Sequence, residues 1–209
     1  MLPAERLAAE ENLFKPLGEA IASWTEGRPT DSIGSLEYVI FRSSDPALSL
    51  TAIKEISVLL AEQGKNREAL AYLARAEVLA PSDPYIAFEK GWNFLSLEDH
   101  LEARTAFEKA LTLTGESDMA SQARFGLALA ESRLGGPAAA AENLQTLYNK
   151  YPYLLSPTAQ MISAQYEKLK KRQHAITFLN EALTYDPRNI QAETDLARLY
   201  DAADYYLPA

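Results

Sequence analysis

A spacing that returns about every 35 residues constrains this chain more than any other feature. Between Pro84 and Gly115 the residues Gly91, Phe94, Ala103, Phe107 and Ala110 follow at steps of three, nine, four and three. Steps of three and four put each set on one face of a helix, with a turn between them at 96–100. The small residues let two helix backbones approach closely, and the phenylalanines fill the space beside them. The unit predicted is a pair of helices folded back on each other.

The unit recurs. Before it stand Ile53, Ile56 and Leu60, then Ala69, Leu73, Ala76 and Pro81. After it come Phe125, Gly126 and Leu129, then Ala140, Leu144, Leu147 and Pro152, with about two extra residues assigned to the turn Gly135-Gly136-Pro137, where a loop absorbs them cheaply. A further copy has Ile162, Tyr166, Ala175, Leu179, Ala182 and Pro187, and Leu196, Ala197 and Tyr200 begin one more first helix. Prolines 46, 81, 152 and 187 stand 35, 71 and 35 residues apart. Gly34, Tyr38, Phe41 and Pro46 fall one period before Ala69, Leu73, Ala76 and Pro81, so a degenerate first copy is expected there. Its Val39 and Ile40 would also suit a strand.

The pattern resembles the tetratricopeptide repeat, which runs W-x2-L-G-x2-Y, then A-x3-F, then a closing proline. Gly91 and Phe94 match its glycine and tyrosine, and Ala103 with Phe107 matches A-x3-F; Ala87, Lys90 and Gly115 stand at the tryptophan, leucine and proline positions. The resemblance implies an all-α, right-handed superhelical solenoid of antiparallel helix pairs. Its segments are an N-terminal helix in 1–15, repeats at 16–48, 50–83, 84–117, 119–154 and 156–189, and a terminal helix and tail in 190–209. The N-terminal helix is expected over 4–14, ending near Pro16, which can open the next one.

Composition limits the function classes. Of 209 residues, 47% are hydrophobic and 23% charged, the balance of a folded chain. No stretch is long and apolar enough to cross a bilayer, so direct membrane insertion is not expected. The acidic N-terminal sequence lacks the order of a signal peptide. Localisation stays open between the cytoplasm and, were a leader to precede Met1, a bacterial periplasm. The absence of cysteine removes disulfides, thiol nucleophiles and thiolate metal ligands. A net charge of -9 argues against nucleic acid, and the basic run Lys168 to Arg172 reads as a solvated turn.

Catalysis finds no support in the motifs. His100 and His174 fall near turns and begin no H-E-x-x-H pattern, and glycine-rich phosphate loops and G-x-S-x-G turns are absent. No catalytic, cofactor or metal residue is assigned, and a non-enzymatic scaffold is expected.

Binding is the remaining reading. Tyr85, Phe88, Trp92 and Leu95 form a second apolar stripe on the first helix of the third repeat, at steps of three, four and three. The resemblance implies that this stripe lines the concave side, where peptides or partner helices bind. Equivalent positions are expected at Thr51, Lys54, Val58 and Ala61 before it, and at Ala120, Ala123, Leu127 and Ala130 after it. Small residues beside large aromatics would make a hollow for an amphipathic or apolar segment of another protein. The expected partner-binding set is Lys54, Val58, Tyr85, Phe88, Trp92, Leu95, Arg124 and Leu127, with Lys54 and Arg124 orienting the ligand. The competing reading makes the aromatics internal packing under the N-terminal helix or the Tyr205-Tyr206-Leu207 tail. A carboxylate clamp for chaperone tails is not expected, because Val58, Trp92 and Leu127 stand where polar residues would be needed. An alternative role is as the repeat segment of a larger bacterial envelope or export assembly, and self-association through the tail is open.

Overall fold

The computed structural model describes residues 13–115, 117–150 and 155–201, and every regular element among them is an α-helix. In chain order these are α1 (Phe14–Thr25), α2 (Pro29–Arg42), α3 (Pro46–Glu62), α4 (Asn66–Leu79), α5 (Pro84–Ser96) and α6 (His100–Thr114). They continue as α7 (Asp118–Arg133), α8 (Pro137–Lys150), α9 (Leu155–Lys168), α10 (Arg172–Tyr185) and α11 (Ile190–Asp201). The helix expected over 4–14 lies almost wholly outside the described residues, and so does the 205–207 tail. Val39 and Ile40 are helical: Ser32, Leu36 and Val39, at steps of four and three, form the buried stripe of α2, so packing overrides strand propensity.

The chain divides into two compact units, Met1–Asp99 and His100–Ala209, with the division inside the third repeat. In the first unit each of α1 to α5 packs on its neighbour in sequence, and α3 also touches α5. Its core gathers Leu36, Val39, Ile56 and Leu60 around α2 and α3, and Ile53, Leu73, Ala76 and Ile86 around α3 to α5. In the second unit α6 to α11 pack in the same successive way. Its main core joins Ala128, Leu144, Ile162, Ala175, Leu179, Ala182 and Leu199. Contacts between sequence neighbours, with no single shared core, are the signature of a repeat array.

Several helix starts are written in the sequence. Asp45 and Asp83 each accept a backbone N–H two residues on, and the proline after each occupies the first turn, where a missing N–H costs nothing. Ser117 caps α7 through the Ala120 N–H.

The turns within the pairs fix the register of the repeats. In each three-residue turn the middle residue is left-handed: Gly27 (φ 74°), Gly64 (73°), Glu98 (63°), Gly135 (80°) and Lys170 (57°). The next N–H donates to the carbonyl five residues back, Arg28 to Ser23, Lys65 to Leu60, Asp99 to Phe94, Gly136 to Glu131 and Lys171 to Tyr166, at 2.8 to 2.9 Å. This is the Schellman ending, which satisfies carbonyls the helix leaves open. Seven residues before each left-handed residue stand Ala20, Ser57, Gly91, Ala128 and Ser163.

This register corrects two expectations. The fourth repeat has no longer a turn than the others; its counterpart of Gly91 is Ala128, not Gly126, and the additional residues lie at the front of α7. Gly126 has its own reason to be glycine, since a Cβ there would lie 2.3 Å from the Phe107 ring. In the first repeat, the residues matching Ala69, Leu73 and Ala76 are Ser32, Leu36 and Val39, all buried. Gly34, Tyr38 and Phe41 point outward instead, with Tyr38 51% and Phe41 83% exposed. Pro46 opens α3 as Pro84 opens α5, and is not the counterpart of Pro81.

Candidate functional site

The apolar stripe of α5 meets the neighbouring helix α3 of the first unit at Tyr85. Tyr85, Trp92 and Leu95 are half-buried, whereas Phe88 is only 8% exposed. Phe88 meets Trp92 edge to face, with ring centroids 6.2 Å apart, so it acts as a support for the indole. On α3 the corresponding residues are Thr51, exposed, and Lys54, Val58 and Ala61, half-buried. The two helices meet at Lys54, whose Nζ lies 4.6 Å from the centre of the Tyr85 ring.

Lys54 is already engaged. Its ammonium donates to Asp83 Oδ2 at 2.8 Å, and the other oxygen of Asp83 caps α5 by accepting from the Tyr85 N–H at 3.0 Å. The lysine therefore ties α3 to the start of the next first helix. The second unit repeats the device without charge. Asn189 caps α11 through the Ala192 N–H and donates to Gln160 Oε1 at 3.0 Å, where Gln160 occupies the Lys54 position.

The polar surroundings of the stripe are acidic. Burial pushes the Tyr85 hydroxyl well above its ordinary range, and the Glu89 carboxylate, to which it is hydrogen-bonded, pushes it further, with Glu55 and Asp83 adding smaller effects of the same sign. Burial also raises the Glu89 carboxyl, and the hydrogen bond from Tyr85 opposes that rise.

Arg124 and Leu127 lie in the second unit, on α7. Arg124 is half-buried, but Leu127 is 6% exposed and belongs to the interior together with Ala120, Ala123 and Ala130. The register set by Gly135 places the counterparts of Tyr85, Phe88, Trp92 and Leu95 at Gln122, Phe125, Leu129 and Ser132, none of them buried. Phe125 and Leu129, not Leu127, therefore stand at the positions of Phe88 and Trp92. The signal was the left-handed glycine of the turn, from which the count back is constant.

His100 opens α6, and His174 is exposed with its ring 5.1 Å from that of Tyr166. Among the described residues no group of three or more His, Asp or Glu is placed to hold a metal ion. Among them too, no helix is long and apolar enough to cross a membrane.

One tetratricopeptide repeat model matches residues 55–118 and 88–154, and a second matches 160–189, together more than half of the chain. The chain belongs to the tetratricopeptide repeat family. Its architecture is that of a protein-interaction scaffold. Compared with curated proteins by sequence, this tetratricopeptide repeat protein has no significant match. Among solved structures it is similar to the MamA protein, with a TM-score of 0.74 at 17% identity over 95% of this chain and 98% of that one. It is also similar to a tetratricopeptide repeat protein from Parabacteroides merdae, with a TM-score of 0.78 at 14% identity over 95% of this chain and 75% of that one. YrrB, described as a tetratricopeptide repeat protein with an unusual peptide-binding site, gives 0.65 at 19% identity over 74% and 77%. At these identities the likeness is one of fold.

Proposed function

We propose that this tetratricopeptide repeat protein is a non-catalytic adaptor whose first unit holds an apolar segment of a partner polypeptide on the shared face of α3 and α5. The observation that carries the reading is the half-buried state of Tyr85, Trp92 and Leu95 on α5, with the smaller Val58 and Ala61 half-buried at the corresponding positions of α3. Large apolar side chains left partly open, with smaller ones at the same positions of the neighbouring first helix, offer a surface on which a partner's apolar side chain can lose water. Trp92 is the anchor, Phe88 braces it from within, and Lys54 holds the two helices in position. The peptide-binding site named for YrrB supports a role of this class.

The test is a matched pair of variants. A partner captured from the source lysate is identified, and its bound segment is titrated against the parent protein and against Trp92→Ala and Phe125→Ala. Trp92→Ala is expected to weaken binding about 30-fold, equivalent to about 2 kcal/mol, with helical circular dichroism unchanged. Phe125→Ala, at the position of the second unit that corresponds to Phe88, is expected to leave binding within about twofold. Undiminished binding by Trp92→Ala, or loss of its helical signal, would overturn the assignment.

A further inference from the structure

We infer that the segment held by the first unit carries lysine or arginine beside its apolar side chains, an inference that rests on the α3–α5 face being the binding surface. Glu55 on α3 and Glu89 on α5 occupy the same position of successive repeats, one residue after Lys54 and Phe88 respectively. Asp83 holds Lys54 at 2.8 Å and accepts the Tyr85 N–H, Glu89 accepts a hydrogen bond from the Tyr85 hydroxyl, and Glu55 follows Lys54 directly in α3, which gathers the three carboxylates about the Tyr85 end of the apolar stripe. The cation on this face, Lys54, is half-buried and bound to Asp83. Lys90, on another face of α5, is paired with Glu77 at 2.7 Å. Among the described residues, Glu55 and Glu89 form no ion pair with a lysine or arginine.

The acidity is local to this surface. At the corresponding position of α7 and α9 the second unit has Gly126 and Met161. A bound cation would meet the carboxylates at this end of the stripe, and the ring quadrupole of Trp92, the other large half-buried aromatic of the stripe, also attracts positive charge. An acidic segment would meet two uncompensated carboxylates, and like charge across an interface suppresses the wrong partner.

Three fluorescein-labelled helical peptides with identical leucine positions, and with Lys, Gln or Glu at every polar position, serve as probes of the full chain. At about 0.15 M salt, where exposed charges farther apart than about 8 Å are screened, the Lys peptide is expected to bind tighter than the Gln peptide, and the Glu peptide weakest. The double variant Glu55→Gln/Glu89→Gln is expected to weaken the Lys peptide by about fivefold or more and to leave the Gln peptide unchanged. Because the chain carries a net charge of -9, Glu142→Gln/Glu193→Gln in the second unit controls for general attraction and is expected to change nothing. If the two double variants behave alike, or the order of peptides is not Lys, Gln, Glu, the inference is overturned. The binding surface itself survives that result as long as the Gln peptide still requires Trp92. If no peptide's binding responds to Trp92→Ala, the surface falls, and the inference with it.

Discussion

The same positions of the repeat are used in opposite ways at the two ends of the chain. Between α3 and α5 they hold Val58, Ala61, Tyr85, Trp92 and Leu95, apolar and partly open. Between α9 and α11 they hold Gln160, Glu167 and Arg198, which are spent on one another and on the cap: Asn189 donates to Gln160, and Arg198 pairs with Glu167 at 2.8 Å. In both units the residue at the Lys54 position reaches the N-cap of the next first helix, so the backbone plan is common. The contents of the face differ. The array explains the fold, and the partly open apolar face of one stretch is what the proposed binding rests on.

The largest expected effects test whether the two stretches are energetically separate. Leu73 in the first unit and Leu179 in the second occupy the same position of their repeats, and both are fully buried. Truncating either to alanine should cost about 2 to 5 kcal/mol, the transfer term plus the cavity left behind. In an array of nearest-neighbour contacts the damage stays local. Hydrogen exchange should therefore quicken in α3 to α5 for Leu73→Ala with α9 to α11 still protected, and the reverse for Leu179→Ala. Uniform loss of protection from either variant would show one cooperative unit instead. Gly126→Ala is a smaller perturbation confined to the second unit: the new methyl meets the Phe107 ring at 2.3 Å, so the ring must shift, at about 1 to 3 kcal/mol in urea unfolding.

The turns provide a comparison of lower amplitude. Three of the five left-handed positions are glycine, and the other two are Glu98 and Lys170. A side chain in that conformation crowds the carbonyl that follows it. Glu98→Gly and Lys170→Gly should each stabilise by about 0.5 to 1 kcal/mol, net of the extra freedom that glycine gives the unfolded chain, whereas Gly64→Ala should cost about 1 kcal/mol. Thermal melts of the three variants give the signs directly.

How much of this could be read from the sequence depended on which landmark was used. Alanine and aromatic spacing gave the helix pairs, and Gly91, Ala103, Phe107 and Ala110 are all buried as that spacing requires. Prolines were a poor landmark, because a proline serves equally in the turn between pairs, as Pro81 and Pro187 do, and at the first position of a helix, as Pro46 and Pro84 do. Aligning Pro46 with Pro81 moved the first repeat out of register and assigned the outward Phe41 to the interior. In the fourth repeat two glycines, Gly126 and Gly135, competed as markers; the first answers to the Phe107 ring and the second to backbone geometry. Only the second stands at a position that is left-handed in every repeat, whether it holds glycine or, as at Glu98 and Lys170, another residue. Choosing the first brought Leu127 forward in place of Leu129. The face of α5 needed no such choice, since Gly91 and the turn at Glu98 give one register. The engagement of Lys54 by Asp83 was not legible, because it joins residues 29 apart through side chains.

The smallest expected effect connects the acidic edge of the α5 face to stability. Burial pushes the Glu89 carboxyl above its ordinary value of 4.5, so the folded chain holds that proton more tightly than the unfolded chain does. The stabilisation from this proton is complete below the ordinary value and is lost as pH rises through the folded one, leaving charged Glu89 a cost at neutral pH. Glutamine at this position cannot ionise and still offers an oxygen to the Tyr85 hydroxyl. Glu89→Gln should therefore be more stable than the parent by a few tenths of a kcal/mol at about pH 7. The gap should close at about pH 4 and below, in urea unfolding followed across that range. A gap that widens on acidification would mean that the charged form of Glu89 is favoured in the folded chain, through Tyr85. The same substitution is expected to weaken a cationic segment, so stability and binding should move in opposite directions. A variant that had merely damaged the first unit would lower both.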